Sequence, residues 1–332
     1  MSFPAEGNVR TVSELAVEAC RLEPEPLRAI YDFVQVVRPD VPEHSIRARI
    51  YEAMKNDKIV RVMEGVYFAK VGQAQLLLVQ GDAWDVLRKL DENSIDALIT
   101  DPPGKFGRNW AGMGTTRPHA TEVHGRTYKQ PELDEEFVKQ AFRVLRKNRA
   151  WNTLSKEKRA KGEFPKGGAA CLIRVPIENK TTRPHIQELI RLAESAGFVF
   201  YGEFVVALDM IGMGYDSGRD KGAAWLLFHA GNRNGVLWDL SVPNVIQAKR
   251  IRNPCKGDAK EHEAEKDPVE FTELLKAVTR KGDVVLDPFI GRGRWTKQMV
   301  SEGRHVIGAD MDGTWPERIA SEDYGYAGET PN

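Results

Sequence analysis

The sequence lacks an excess of either charge: Lys and Arg total 48, and so do Asp and Glu. It is therefore neither a polycation nor an acidic tail protein, and any positive charge meant for a nucleic acid must be gathered locally. Cysteine is scarce. Cys20, Cys171 and Cys255 are odd in number and far apart, so they make neither a disulfide framework nor a zinc site. A reducing compartment is the expectation. No apolar run reaches the roughly 18 residues of a membrane helix. The opening MSFPAEGNVR holds no apolar signal-peptide core. The expected location is the cytoplasm, with no membrane partner. Internal repeats are absent as well. What remains is ordinary globular composition, 41% hydrophobic and 29% charged, and 332 residues suffice for one large domain or two unequal ones.

Residues 1–72 read as a small unit of their own. TVSELAVEAC, PLRAIYDFVQVV and HSIRARIYEAMKNDK carry helical apolar spacing, and IVRVMEGVYFAK alternates around Glu64-Gly65 as a hairpin does. Three short helices and a hairpin resemble a winged helix-turn-helix. Its third helix would present Arg47, Arg49 and Lys55 to a DNA groove, with Lys58 and Arg61 entering the wing. The alternative use of such a unit is protein contact alone.

From Gln75 onward strands and helices alternate: QLLLVQGDA, WDVLRKL, SIDALITDPPG, LDEEFVKQAFRVLRKN, AACLIRVPI, HIQELIRLAESAGF, FVFYGEFVVAL, AAWLLFHA, FTELLKAVTRKG, DVVLDPF, RWTKQMVSEG and HVIGADMD. That rhythm predicts an α/β domain over 73–332 built on a doubly wound, mostly parallel sheet. Stretches without regular pattern fall at about 104–132, 150–167, 209–222 and 231–264. Loops this long in a compact domain usually carry function. A local basic run, 139–166, holds ten Lys and Arg against two acids, Lys156, Lys158 and Arg159 among them. It reads either as a solvated face or as a phosphate contact.

Three features carry chemistry. Asp101-Pro102-Pro103-Gly104 ends an apolar strand, and ligands of doubly wound sheets sit outside the carboxyl ends of strands. Asp101 is an acceptor there. The prolines stiffen the turn and hold the Pro102 carbonyl as a second acceptor, which suits an amino group with two hydrogens. Asp287-Pro288-Phe289-Ile290-Gly291-Arg292-Gly293 joins another strand to a helix. Its glycines let a ligand approach the backbone, and the helix start offers open N–H groups. Asp310 ends the next strand about 20 residues on, where an acid can bond ribose hydroxyls. Loop and acid together indicate a nucleoside cofactor.

With these residues in place, the chain resembles the amino-group DNA methyltransferases that use S-adenosylmethionine, in the permuted beta-class order with the catalytic motif ahead of the cofactor loop. LLVQGDAWDVLRKLDENSIDALITDPPG resembles the family's unit ending in the catalytic Asp-Pro-Pro motif, and EKDPVEFTELLKAVTRKGDVVLDPFIGRG its Lys-Pro helix and cofactor loop, with Asp267 between Lys266 and Pro268. VIGADMD resembles the ribose-binding strand. The resemblance implies a permuted Rossmann-like fold and catalysis by Asp101, Pro102 and Pro103. It implies cofactor contacts from Asp82, Lys266, Asp287, Pro288, Phe289, Gly291, Arg292, Gly293 and Asp310. It further implies double-stranded DNA as substrate, an extruded target base, a bacterial or phage-infected cell, and in some settings a restriction nuclease as partner. It leaves the oligomeric state open. Asp ahead of Pro-Pro leans toward adenine N6 over cytosine N4.

Two departures from the family pattern stand out. Gly104 occupies the place of the aromatic residue that stacks on the base, and Phe106 and Trp110 are the substitutes at hand. Arg292, Arg294 and Trp295 replace small residues of the cofactor loop, where an arginine fork could pair with the cofactor carboxylate. The departures also support a rival: a DNA-binding regulator with a degenerate methyltransferase domain. The scaffold could also act on RNA or on protein glutamine. Cytosine C5 chemistry would need a nucleophilic cysteine, and Pro254-Cys255 follows no suitable strand. No metal-ligand cluster is visible; His119 and His124 read as polar loop residues.

Overall fold

The computed structural model describes residues 10–20, 25–70, 72–102, 122–123, 126–127, 133–147, 169–176, 182–208, 222–231, 242–248, 268–291 and 293–311. Pro103, Gly104, Phe106, Trp110, His119, His124, Lys156, Lys158, Arg159, Cys255, Lys266 and Arg292 lie outside these residues, as does the side chain of Arg294.

The N-terminal unit begins with α1 (Val12–Ala19). Thr11 opens it with a reciprocal cap: its hydroxyl accepts the Glu14 N–H and Glu14 accepts the Thr11 N–H at 2.8 Å. After β1 (Glu25–Pro26) come α2 (Leu27–Val37) and α3 (Glu43–Lys55), each preceded by a proline that halts the chain in an extended turn. The hairpin β2 (Ile59–Met63) and β3 (Val66–Ala69) turns at Gly65, whose φ of 76° suits glycine. The three helices and the hairpin are thus where periodicity predicts them. The structure adds β1, paired to β3 in a three-stranded sheet.

The larger sheet has eight strands: β4 (Leu76–Gln80), β5 (Ala97–Thr100), β8 (Ala169–Pro176), β9 (Phe198–Leu208), β10 (Gly222–Ala230), β11 (Val245–Ala248), β12 (Val284–Asp287) and β13 (His305–Asp310). A separate hairpin, β6 (Glu122–Val123) with β7 (Arg126–Thr127), falls between β5 and β8. The order across the large sheet is β11-β9-β10-β8-β5-β12-β13-β4, and β10 alone runs against the rest. Helices α4 (Ala83–Lys89), α5 (Glu135–Val144) and α6 (Thr182–Ser195) close one face through Leu87, Phe137, Ala141 and Leu189. Helices α7 (Pro268–Val278) and α8 (Arg294–Ser301) close the other through Phe271, Leu274, Leu275 and Met299. The expected doubly wound α/β fold is therefore present. Chain order reverses between β5 and β12, and such a switch point opens a crevice at the carboxyl ends of the strands.

Three readings need correction. The stretch 231–264 was expected to be irregular, yet it contains β11, a short edge strand in which only Ile246 and Ala248 are buried. Four residues with two apolar contacts are too weak a signal to stand out. The stretch 104–132 likewise contains the β6–β7 hairpin. The basic run also divides. Its described cations are engaged within the chain: Lys139 with Glu135, Arg143 with the Leu87 and Leu90 carbonyls, Arg146 with Asp57, and Lys147 with the Phe142 and Leu145 carbonyls.

The N-terminal unit docks at the edge where the strands begin. Val60, Val62 and Phe68 join the main core, the Val62 carbonyl accepts the Asp91 N–H at 2.8 Å, and Gln75 Nε2 donates to the Cys20 carbonyl at 2.6 Å. Between the units lies a seam of charge. Lys70 Nζ is 2.6 Å from Asp96 Oδ2, and Arg146 Nη1 is 2.7 Å from Asp57 Oδ1 and 3.4 Å from Asp96 Oδ1. His305 sits beside it, with Nδ1 accepting the Gln75 N–H at 3.1 Å. Burial, then the Lys70 charge, pushes its pKa down to about 4. The seam is matched, cation for carboxylate.

Candidate active site

The opposite edge, where the strands end, gathers the residues singled out for chemistry. Asp101 follows β5, Asp287 ends β12 and Asp310 ends β13, on three neighbouring strands. Thr100 Oγ1 donates to Asp287 Oδ1 at 2.8 Å, and the Phe289 N–H donates to the same oxygen at 3.1 Å. One carboxyl group thus ties the β5 end to the loop after β12. Asp287 is buried, and that burial pushes its pKa up to about 7. The bonds from Thr100 and Phe289 pull it down, and the charges of Asp101 and Asp310 add to the rise. Asp101 is more open, its side chain 27% exposed, and Pro102 beside it is buried.

The loop 287–293 is held by its own backbone and by one aromatic anchor. Ile290 N–H donates to the Ala309 carbonyl at 3.0 Å, and the Gly291 N–H donates to Asp310 Oδ2 at 3.1 Å. Gly291 and Gly293 take φ of 50° and 70°, which glycine adopts without strain, and Gly293 caps α8. A Cβ at Gly308 would lie 2.6 Å from Ile290 Cγ2, so glycine in β13 is what lets the loop approach. Phe289 turns inward against Trp84 and Phe137, with ring centroids 6.0 and 5.8 Å away. Pro288 is buried. Asp82 caps α4, its Oδ1 accepting the Trp84 N–H at 2.9 Å. Trp84 Nε1 in turn donates to Asp134 Oδ1 at 2.9 Å.

The structure therefore brings Asp101, Pro102, Asp287, Pro288, Phe289, Gly291, Gly293 and Asp310 to one edge, with Asp82 at the start of the helix after β4. Arg47, Arg49 and Lys55 are exposed on α3, in the unit at the other edge, and Arg49 pairs with Glu52 at 2.6 Å. Trp295, a departure from the family loop, stacks on Phe271 at 5.0 Å and tilts against Trp225 at 5.4 Å. Its bulk goes into the core.

Sequence reasoning missed a buried group beneath Asp101. Arg174 Nη1 lies 3.9 Å from Asp101 Oδ1, and Arg174 Nε donates to Glu270 Oε1 at 2.7 Å. Trp225 Nε1 donates to that same oxygen at 2.7 Å. The only signal was an arginine inside the apolar strand AACLIRVPI. Among the described residues no group of His, Cys, Asp and Glu has the arrangement of a metal site, and no helix is long and apolar enough to cross a membrane.

Comparison with known proteins gives a consistent picture. The profile of the N6/N4 DNA methylase family matches residues 146–317, just over half of the chain, spanning β8 to β13. The chain is 22% identical over 271 residues to the type II methyltransferase M.HpaI of Haemophilus parainfluenzae, covering 75% of this chain and 76% of that protein. Among solved structures, M1.HpyAVI in complex with SAM is 16% identical at a TM-score of 0.48, covering 74% of this chain and all (100%) of that one. The cytosine-N4-specific PvuII DNA methyltransferase is 14% identical at a TM-score of 0.49, covering 76% and 88%. The extent of the profile match is decisive: the chain belongs to the N6/N4 family of DNA methylases.

Proposed function

We propose that the chain transfers a methyl group from S-adenosylmethionine to an exocyclic amine of double-stranded DNA, at adenine N6, with Asp101 and the Pro102 carbonyl as the two acceptors. The observation that carries this reading is the junction of β5 and β12. There a partly exposed carboxylate and a glycine loop stand on adjoining strand ends, and the Thr100–Asp287 bond ties the two ends together. A ligand in the loop and a base at Asp101 would meet at that point.

The residues present fit the cofactor. Among the described residues, nothing stands within 4 Å of where a Cβ of Gly291 would be, so the loop admits close approach. Asp310 offers a carboxylate of the kind that bonds ribose hydroxyls, and an edge rich in acids suits a cationic sulfur. When bound, the cofactor supplies a methyl group activated on a positively charged sulfur, which keeps the bonding electron pair as the group leaves. The chain supplies geometry. The amine lone pair is delocalised into the base ring and is a poor nucleophile. Asp101 and the Pro102 carbonyl accept its two hydrogens, draw the nitrogen toward tetrahedral form and aim the lone pair. Asp101 then carries away the proton that the methylated nitrogen sheds. Positioning of this kind supplies much of the rate.

Asp rather than Ser ahead of Pro-Pro supports adenine, while cytosine N4 presents the same amino chemistry. The base must leave the duplex to reach the edge, and Phe106 or Trp110 would stack on it in place of the residue missing at 104. The N-terminal unit, read as a winged helix, would meet DNA phosphates through Arg47, Arg49 and Lys55. A restriction nuclease reading the same sequence is the protein partner this function would bring. Nucleoside mass spectrometry of DNA from cells expressing the chain tests the reading. N6-methyladenine is expected, and it disappears with Asp101→Ala. Unmodified DNA with the parent chain overturns the activity, and N4-methylcytosine overturns the choice of base.

A further inference from the structure

We infer that Arg174 is the positioning residue for Asp101, and that Glu270 is the counter-charge that lets an arginine stand there without opposing the reaction. The inference rests on the reading above, in which Asp101 accepts a hydrogen of the target amine.

Register places Arg174 beside Asp101. In the parallel pair β5–β8, Thr100 faces Ile173, so the next residues along, Asp101 and Arg174, come side by side. Arg174 is 8% exposed, Glu270 1% and Trp225 0%. The arginine is anchored on one side and faces the acceptor on the other: Nε donates to Glu270 at 2.7 Å, and Nη1 lies 3.9 Å from Asp101 Oδ1. Glu270 is itself held by Trp225 Nε1. The planar guanidinium transmits orientation better than a flexible ammonium would. Its one end is anchored in the core, and its other end addresses the acceptor. Buried ion pairs are weak sources of stability, so the group under Asp101 calls for a use other than folding.

Charge accounting assigns the role of Glu270. Methyl transfer builds positive charge on the target nitrogen, next to Asp101. A lone arginine at this distance from Asp101 would repel that charge. Glu270 cancels it, so Asp101, Arg174 and Glu270 together carry the single negative charge that Asp101 would carry alone. What Arg174 then contributes is geometry. Two substitutions separate the parts. Glu270→Gln keeps an acceptor for Trp225 and leaves the arginine charge uncancelled. The double variant Arg174→Met with Glu270→Gln restores the net charge and removes the fork.

The test is single-turnover methyl transfer from radiolabelled S-adenosylmethionine to unmethylated genomic DNA, with cofactor Kd and thermal midpoint measured on the same full-length preparations. Glu270→Gln is expected to slow transfer about 10–100-fold with cofactor Kd unchanged, the scale of losing one preorganised electrostatic contact. The double variant should recover part of that loss and stay roughly tenfold below the parent, and Arg174→Lys should stay folded yet transfer about tenfold more slowly. The inference is overturned if Glu270→Gln or Arg174→Lys transfers within about threefold of the parent. It is equally overturned if the rates merely follow the thermal midpoints. Asp101→Ala is run alongside. If that variant transfers at the parent rate, the acceptor reading itself has failed. If it is inactive while Glu270→Gln is fully active, only the role of Arg174 has failed.

Discussion

Where the strands of the large sheet begin, Lys70 and Arg146 meet Asp57 and Asp96, and the neighbouring His305 is kept neutral. Where the same strands end, Asp101, Asp287 and Asp310 converge, and the arginine beside them is matched to a fourth acid, Glu270. Both edges place ionisable groups out of water. At the first, each charge has its opposite, and the result is a joint that fastens the N-terminal unit to the sheet. At the second, three carboxyl groups stand on adjoining strand ends next to a glycine loop, with Asp101 partly exposed. Matched charge holds parts together; at the second edge burial, and then the charges of Asp101 and Asp310, raise the pKa of Asp287.

The largest effect on stability should come from unbalancing the matched edge. Lys70→Met leaves Asp96 and Asp57 to share Arg146, and removing one partner of a buried pair typically costs about 3–5 kcal/mol. Denaturant unfolding reads the loss directly. Lys70→Met with Asp96→Asn should recover most of it, since replacing both partners is close to neutral. If the single variant is as stable as the parent, the seam is not the joint described.

The two edges should also respond to pH in opposite senses. Asp287, raised to about 7 from 3.8, contributes stability that is fully present below pH 4 and lost as pH rises through 7. His305, lowered to about 4 from 6.5, contributes stability present above pH 6.5 and lost as pH falls through 4. Asp287→Asn removes the first and keeps the second. Its stability relative to the parent should climb between pH 4 and 7, by at most about 1.4 kcal/mol per pH unit, and level off above 7. A difference that stays flat across this window would mean that Asp287 is ionised throughout.

The smallest effects are expected on α3. Because Val60, Val62 and Phe68 belong to the main core, deleting the N-terminal unit would disrupt the sheet as well, and point substitutions are the cleaner probe. Arg47→Ala and Lys55→Ala should each lower the slope of log affinity for DNA against log salt by about one, leaving the fold intact. An unchanged slope makes this unit a protein-contact module, which its place at the edge away from Asp101 would also allow.

Much of the fold was legible because it is written locally. The short apolar run in LLLVQ, periodicity in EEFVKQAFRV and the Glu64-Gly65 turn each specify an element without help from distant residues. β11 was not legible, since Gln247 and Val245 face water and only its alignment beside β9 makes it a strand. The site was legible in outline: strand-ending acids and a glycine loop are local signals, and the sheet brought them to one edge. Its electrostatics were not. Arg174 and Glu270 are 96 positions apart, and Arg146 and Asp57 are 89 apart. No spacing rule connects them. Sequence could mark Asp287 as the start of a loop but not show its carboxyl group buried and bonded to the Phe289 N–H and to Thr100.

The measurement that bears most directly on the account is single-turnover methyl transfer by Asp101→Ala, paired with equilibrium binding of S-adenosylmethionine. Asp101 stands on its own strand end, and the residue before it, Thr100, is bonded to Asp287 at the start of the glycine loop. A fall in rate of at least about 10²–10³ is expected, with cofactor affinity within about threefold of the parent. A variant that transfers methyl groups within tenfold of the parent would contradict it.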